Sequence, residues 1–542
     1  MAATTRMWKS FQANHSFHLV ATLTGLSFAL MGYENGLFGG LTDNPQWKQR
    51  FGYPSRLSMS TIVAIYQIGC LIGSMVTSVC GEALGRKMTI RLGAIWMSGG
   101  ALLQTLSLSR ESLIIGRILS GIGMGFISST APVLLAEVSP SAKRGKYACA
   151  QLSTLNLGIC LSYWMNYGTM MRLTGSATFQ LPIAFQYSMI IPIAALTCMV
   201  PESPLWLMFH NQASKALDVL TSLEGAQPNE AVIRGKFLEM EANVIYENSI
   251  EDIGYKVLFQ NDGLRTRERM LIACSVQSFQ QLGGVNAIVY HAHFLFSSCL
   301  GFSEKASSLI SALLFTWFFM ASFVPWFLID TLGRRILMIP SVAIMGSIFA
   351  ALAGITKQIE ENTQDSDRYR IAAAVLSFIF LAVFSIGFQA TVWFYPPEIL
   401  PQRVRAQGTA IATACNWALN FFVVECFPLA TEKIGWKTYL IFMALNILFV
   451  PIMFFYFPET KGKTLEEIDL MFGDTVSAER RRCTLHKIQH SLRGIDTLGE
   501  HGKSILDYKV RNVQTDAEKS DRGNVDATAI YLSHKKGTIS VS

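Results

Sequence analysis

Residues 17–40 read FHLVATLTGLSFALMGYENGLFGG, twenty-four residues with one carboxylate, Glu34, and no lysine or arginine. As a helix this run is about 36 Å long, enough to cross the hydrocarbon of a bilayer. The sixteen residues before it are polar and lack the short apolar core and small-residue cleavage site of a secretory signal, so cleavage is not expected. The run is therefore read as a membrane span that carries an ionisable group.

Working outward, the pattern repeats. Runs of similar length occur near 17–40, 58–80, 88–108, 112–135, 147–168 and 182–200, and again near 269–297, 306–329, 336–356, 370–395, 404–428 and 437–457. Lipid offers the backbone no hydrogen bonds, so each run is expected to be a helix. Composition agrees. Of 542 residues, 51% are hydrophobic and only 15% charged, against about a quarter charged in an ordinary soluble domain. The fold class expected is an all-α membrane protein of twelve transmembrane helices in two six-helix pseudo-repeats.

The expected layout is a cytoplasmic N-terminal segment (1–16), a six-helix bundle (17–200), a linker (201–268), a second bundle (269–457) and a cytoplasmic tail (458–542), largely disordered after about 475. In the linker, Ile233, Phe237, Met240 and Val244 recur at helical spacing, which predicts amphipathic surface helices. The tail carries Arg480-Arg481-Arg482, and also His486 and His490, which lack further ligands at metal spacing. The ten cysteines are scattered, mostly inside apolar runs, and form no CxxC pair, so they read as small core residues and no metal or cofactor is expected.

Charge sets orientation. Basic residues gather in Gly85-Arg86-Lys87, Lys143-Arg144-Gly145-Lys146, Gly333-Arg334-Arg335 and Arg403-Val404-Arg405, all on one side under the twelve-span reading. Glu360, Glu361, Asp365 and Asp367 fall on the other. The excess of lysine and arginine puts the basic loops and both termini in the cytoplasm, with the plasma membrane as the expected site. The net charge of +7 is spread over short loops, which fits membrane orientation and not a nucleic-acid partner.

The halves repeat one another. Gly85 and Gly333 lie 248 residues apart, Glu137 and Glu398 lie 261 apart, and Pro201 and Pro458 lie 257 apart, each within a like motif. Two parallel repeats imply a binding site between them near the midplane, opened alternately to each side. Glu137 with Arg144 and Glu398 with Arg405, supported by Glu82, Arg86, Asp330 and Arg334, are expected to form a cytoplasmic gate. It would latch the outward-open state and break for inward opening.

The motifs resemble those of the sugar porters of the major facilitator superfamily, above all fungal carriers of hexoses, polyols or glycerol with protons. The resemblance spans about 17–470. It rests on GYENGLFGG (32–40), GEALGRK (81–87), GRILSGIGMG (116–125), PESPLWL (201–207), QQLGGVN (280–286), DTLGRR (330–335), PPEILPQRVRAQG (396–408), CNWALNF (415–421) and PETKGKTLEEID (458–469). It implies a secondary transporter and not an enzyme, most simply a monomer, whose partners are a small-molecule substrate, protons and the bilayer. A carrier of a specialised metabolite and a porter-like nutrient sensor are the alternatives.

Glu34 and Arg117 are ionisable at membrane depth, which marks function by default. They are expected to pair and to couple protons. In the resembled symporters the position of Glu34 is usually an aspartate. His291, His293 and Glu425 are further ionisable groups within spans. A polyol needs amides that both donate and accept, with an aromatic face for its C–H surface. Gln151, Gln280, Gln281, Asn286, Asn416 and Trp393 supply these groups, and by resemblance they match sugar-contacting positions, with Tyr290 matching an aromatic gate. Phe318 stands where many of these porters have asparagine, His291 replaces a second gate tyrosine, and Leu205 replaces an arginine. The segment 387–393 lacks the expected Gly/Pro-rich hinge. These departures favour a smaller polyol or a less polar metabolite over glucose.

Overall fold

The computed structural model describes residues 2–41, 44–140, 143–224, 230–248, 255–260, 264–361, 366–463 and 465–472. Arg480, Arg481, Arg482, His486, His490 and Asp365 lie outside them. Among the described residues every regular element is helical.

The first six spans are Ser16–Leu41, within a helix that runs from Ala2, and then Arg56–Leu84, Arg86–Thr105, Arg110–Val138, Arg144–Arg172 and Ala177–Met199. The first helix thus begins well before residue 17. In the second set, the ninth is Arg334–Glu360, the eleventh Arg405–Ile434 and the twelfth Lys437–Tyr456. The seventh, eighth and tenth are broken. Among the described residues, eight spans are long and apolar enough to cross a membrane on their own, and a ninth if Glu304–Ala321 and Pro325–Leu332, bent by 41°, count as one. The third, fifth and seventh fall short because they carry charge, amides or breaks. The last two of these are among the spans that line the central cavity.

Two local rules explain the breaks. The seventh span stops at Leu282 and resumes at Val285 because Gly284 sits at φ +85°, where a Cβ would lie 2.8 Å from the Phe349 and Phe442 rings. The tenth widens into a π-turn over Phe384–Gln389, then reforms over Tyr395–Ile399 with Pro396 in its first turn. The segment 387–393, which lacks a Gly/Pro-rich hinge in composition, begins within this wide turn.

Within the first half, the second and third spans pack on the fourth, and the first packs on the fifth. Close approach of the second and fourth depends on Gly121, whose Cβ would fall 2.2 Å from the Tyr66 carbonyl. Across the halves, the second span meets the eleventh and the fifth meets the eighth. On the linker, Ile233 and Val244 are buried, with Phe237 and Met240 packed beside Leu205, Leu207 and Met208. Leu205, where the resemblance led to arginine, is thus part of a small apolar core.

Candidate functional site

The duplicated loop motifs form two matching caps. Glu202 accepts from the amides of Arg86 (2.9 Å) and Lys87 (3.1 Å) at the start of the third span. Glu459 accepts from those of Arg334 (3.0 Å) and Arg335 (2.9 Å) at the start of the ninth. A carboxylate at a helix N-terminus satisfies orphan amides and meets the positive end of the dipole. Burial pushes the Glu202 carboxyl up, against the pull of these amides and of Arg86.

The acids of the expected gate meet the arginines that the sequence reading gave a supporting role. Arg86 forks onto Glu137 at 2.9 and 3.1 Å and reaches Glu82 at 3.0 Å. Arg334 contacts Glu398 at 3.0 Å and Asp330 at 3.4 Å. Glu137 and Arg144, like Glu398 and Arg405, stand on either side of a connection between two helices, and Arg405 also donates to the Leu400 carbonyl (3.4 Å). Each cluster lies inside one half. The halves are joined at this end by Asp330, which accepts from the Lys146 amide (3.1 Å).

Deeper in, the fifth span carries a polar ladder that the sequence reading did not anticipate. The Trp326 indole donates to Ser153 Oγ (2.9 Å), which donates to the Ser322 carbonyl (3.0 Å). One turn on, Asn156 and Gln389 exchange both amide bonds, at 3.0 and 2.7 Å. Every rung crosses between the halves.

Above this ladder lies a cavity of about 30 Å³ lined from both halves, with Met31, Asn35, Leu155 and Ile159 on one side and residues of the seventh, eighth, tenth and eleventh spans on the other. That space holds about two waters; a hexose requires it to open. Gln280, Gln281, Asn286, Trp393 and Asn416 all line it. Their amides form a chain: Asn286 Nδ2 donates to Gln281 Oε1 (2.6 Å), Gln281 Nε2 to Asn416 Oδ1 (2.8 Å), and Asn416 Nδ2 to Gln280 Oε1 (2.9 Å) and Gln277 Oε1 (2.7 Å). Among the described residues, the chain's ends, Gln280 Nε2 and Asn286 Oδ1, carry no hydrogen bond.

Two expected site residues stand apart from the lining. Gln151 lies a turn below Leu155, where its amide donates to the Thr24 carbonyl (3.3 Å) and ties the fifth span to the first. Tyr290 caps the cavity from outside, donating to Asn35 Oδ1 across the halves (2.7 Å). Beside it Tyr163 donates to the Val289 carbonyl (2.8 Å). Gly39 permits this contact, since a Cβ there would meet Tyr163 Oη at 2.2 Å. Further out, Thr61 donates to Glu425 (2.8 Å), joining the second span to the eleventh. The site is closed at both ends. His291 contacts the Val424 carbonyl (3.0 Å), and His293 contacts Glu304 (3.5 Å). Asn35, Gln277, Gln389 and Asn420 were not anticipated either; each is an amide inside an apolar run, the signal that singled out the others.

Glu34 and Arg117 pair at 2.9 Å, both fully buried. Arg117 also donates to the carbonyls of Val63 (2.8 Å) and Ile62 (3.3 Å), and its guanidinium lies 4.1 Å from the Phe38 ring centre and 4.6 Å from that of Tyr66. Tyr66 packs edge-on against Trp417, which lines the cavity, at 6.3 Å. The pair therefore touches the cavity wall through one ring. Glu34 Oε1 is buried with no hydrogen-bond partner among the described residues.

The family model for sugar (and other) transporters matches residues 17–472. This chain belongs to that family, the sugar porters of the major facilitator superfamily. The transporter is 32% identical to the MFS-type transporter oryC of Aspergillus oryzae over 83% of its own length and 84% of the relative's. It is 30% identical to the sugar transporter STL1 of Saccharomyces cerevisiae, over 94% and 89%. Its fold matches the proton:xylose symporter XylE bound to 6-bromo-6-deoxy-D-glucose with a TM-score of 0.74 at 23% identity, covering 84% of this chain and 99% of the other. Against the inward-open conformation of XylE from E. coli the TM-score is 0.61, at 21% identity and with 84% and 99% covered.

Proposed function

We propose that this transporter carries a sugar or polyol into the cell together with protons, across the plasma membrane, as a monomer with both termini in the cytoplasm. The observation that carries the reading is the amide chain from Asn286 to Gln280, which ends in one unspent donor and one unspent acceptor beside Trp393. Hydroxyls both donate and accept, so they match such a pair of ends, while an indole takes the C–H face.

Transport follows from the two sets of contacts across the halves. With the fifth-span ladder intact and Tyr290 released from Asn35, the cavity faces outward. With the ladder broken and Tyr290 bound, it faces inward. The clusters around Glu137 and Glu398 stiffen the helix ends that must part. Glu34 takes the proton at Oε1, and the change in its bond to Arg117 reaches the cavity through Tyr66 and Trp417. The family match and the sugar-transporter name of STL1 support the cargo class. XylE is a proton:xylose symporter, and the buried carboxylate supports the same coupling here.

A sensor reading has one support: the high glucose sensor RGT2 of Saccharomyces cerevisiae is 28% identical over 90% of this chain, though only 65% of that protein is matched. Uptake of labelled sugars and polyols by a transporter-deficient cell, with and without a proton gradient, separates the two. Gradient-dependent accumulation is expected. Restored signalling without flux would turn the assignment to a sensor.

A further inference from the structure

The cavity is two-sided. The amide chain belongs to the seventh and eleventh spans. The facing wall is built from Leu155 and Ile159 of the fifth, Phe318 of the eighth and Phe384 of the tenth. We infer that the cargo is an amphipathic carbohydrate, with hydroxyls along one edge and bare C–H along the other, of the deoxy-sugar or deoxy-polyol class. This rests on the reading of the cavity as the substrate site.

Three features carry it. First, the wall is a fixed array of rings. Phe318 stacks with Phe384 at 6.2 Å and meets the edge of Phe315 at 6.4 Å, and Phe315 stacks on Tyr163 at 4.2 Å. Phe318 and Phe384 are each about 1% exposed, so neither can swing aside without opening the packed helices. Second, the amide that shares its π-turn with Phe384 is turned to the other half: Gln389 Nε2 donates to Asn156 Oδ1 (2.7 Å) and its Oε1 accepts from Asn156 Nδ2 (3.0 Å). A hydroxyl turned toward Phe318 leaves water for a wall of phenyl rings and aliphatic side chains. Third, the face of a sugar ring is provided for elsewhere. Trp393 and Trp417, 6.4 Å apart and tilted by 58°, both line the cavity. With the faces met by indoles, the phenyl wall meets an edge, where hydroxyls normally project.

The selectivity has a readable form. In an amide-lined subsite, removing a hydroxyl loses affinity; against an apolar wall, removing one gains it. One deoxy position should bind better than the parent while the rest bind worse. An apolar pocket discriminates against an added hydroxyl by up to about a hundred-fold, so the gain at the favoured position is expected at about ten- to hundred-fold.

The test uses the full-length transporter, purified in detergent for ligand-induced thermal stabilisation and reconstituted in vesicles for uptake. The probes are glucose, galactose and sorbitol, each with its mono-deoxy analogues. One analogue in a series should outbind its parent by about ten-fold or more, and Phe318→Asn, which adds an amide to the wall, should bring the two to near parity. A ranking in which every parent exceeds all its deoxy analogues overturns the inference, as does a ratio unmoved by Phe318→Asn. Where that variant does not fold, the wild-type ranking alone decides. If no probe binds or crosses, the carbohydrate reading of the cavity fails and this inference falls with it.

Discussion

Replacing Glu34 by glutamine probes the coupling directly. The side chain keeps its size, and its amide oxygen still accepts from Arg117, but the oxygen that would take a proton is gone. Glu34 is fully buried mid-span, and the proposed coupling through this one carboxylate takes one proton per cycle. One pH unit is worth about 1.4 kcal/mol, which sets the accumulation limit at about ten-fold per unit of gradient. A membrane potential adds about 2.3 kcal/mol per 100 mV, so the assay clamps it to zero in potassium-loaded proteoliposomes with an ionophore. Wild-type accumulation should then rise towards ten-fold per pH unit, whereas Glu34→Gln should stay at the equilibrium level at every gradient while exchange of labelled for unlabelled substrate continues. The exchange arm also shows that the variant is folded, which matters because stranding a buried arginine costs on the order of 3–5 kcal/mol. Accumulation by Glu34→Gln with the wild-type slope would refute the assignment of the proton to this residue.

Three other outcomes are expected. Gln281→Ala cuts the amide chain between Asn286 and Asn416, and a lost buried hydrogen bond of about 1–3 kcal/mol should raise the KM for uptake by about five-fold or more. Asn156→Ala removes the rung to Gln389 and should favour the cytoplasm-facing state. The readout is faster alkylation of Cys149, which is buried in the interface beside Ile329, Leu337 and Ala390; an unchanged rate would mean the ladder does not hold that interface. Arg269 of the seventh span is buried against Asp469 of the helix Leu465–Phe472 and also donates to the Ile399 carbonyl. Asp469→Asn should therefore lower the thermal midpoint of the purified protein, by an amount that reflects about 3 kcal/mol or more.

The spans, the duplication and the motif-bearing loops were legible because each is a local signal: a length of apolar chain, a glycine before a basic pair, a carboxylate after a helix. Glu34 with Arg117 was legible too, since two isolated charges in one bundle have few other partners. What escaped were contacts whose partners lie far apart. Asn156 and Gln389 are separated by 233 residues, and nothing at either position names the other. Gln151 and Leu155 occupy one face of one helix, and only the height of the helix decides which meets the cavity. Glu137 offered a nearby arginine in sequence, but the fork from Arg86 of the third span, 51 residues away, needed the folded chain. The two-sided cavity was half legible: Phe318 stood out as a departure, while its stack on Phe384 needed the folded chain.

The central claim is that one cavity between two halves opens to each side in turn. Counterflow measures this most directly: proteoliposomes loaded with unlabelled sugar or polyol are diluted into trace label, and uptake is followed in time. The label should rise above its equilibrium level and then decay, because outward-facing carriers return loaded. Label that only approaches equilibrium, at a rate unaffected by the internal load, would indicate a pore and contradict the account.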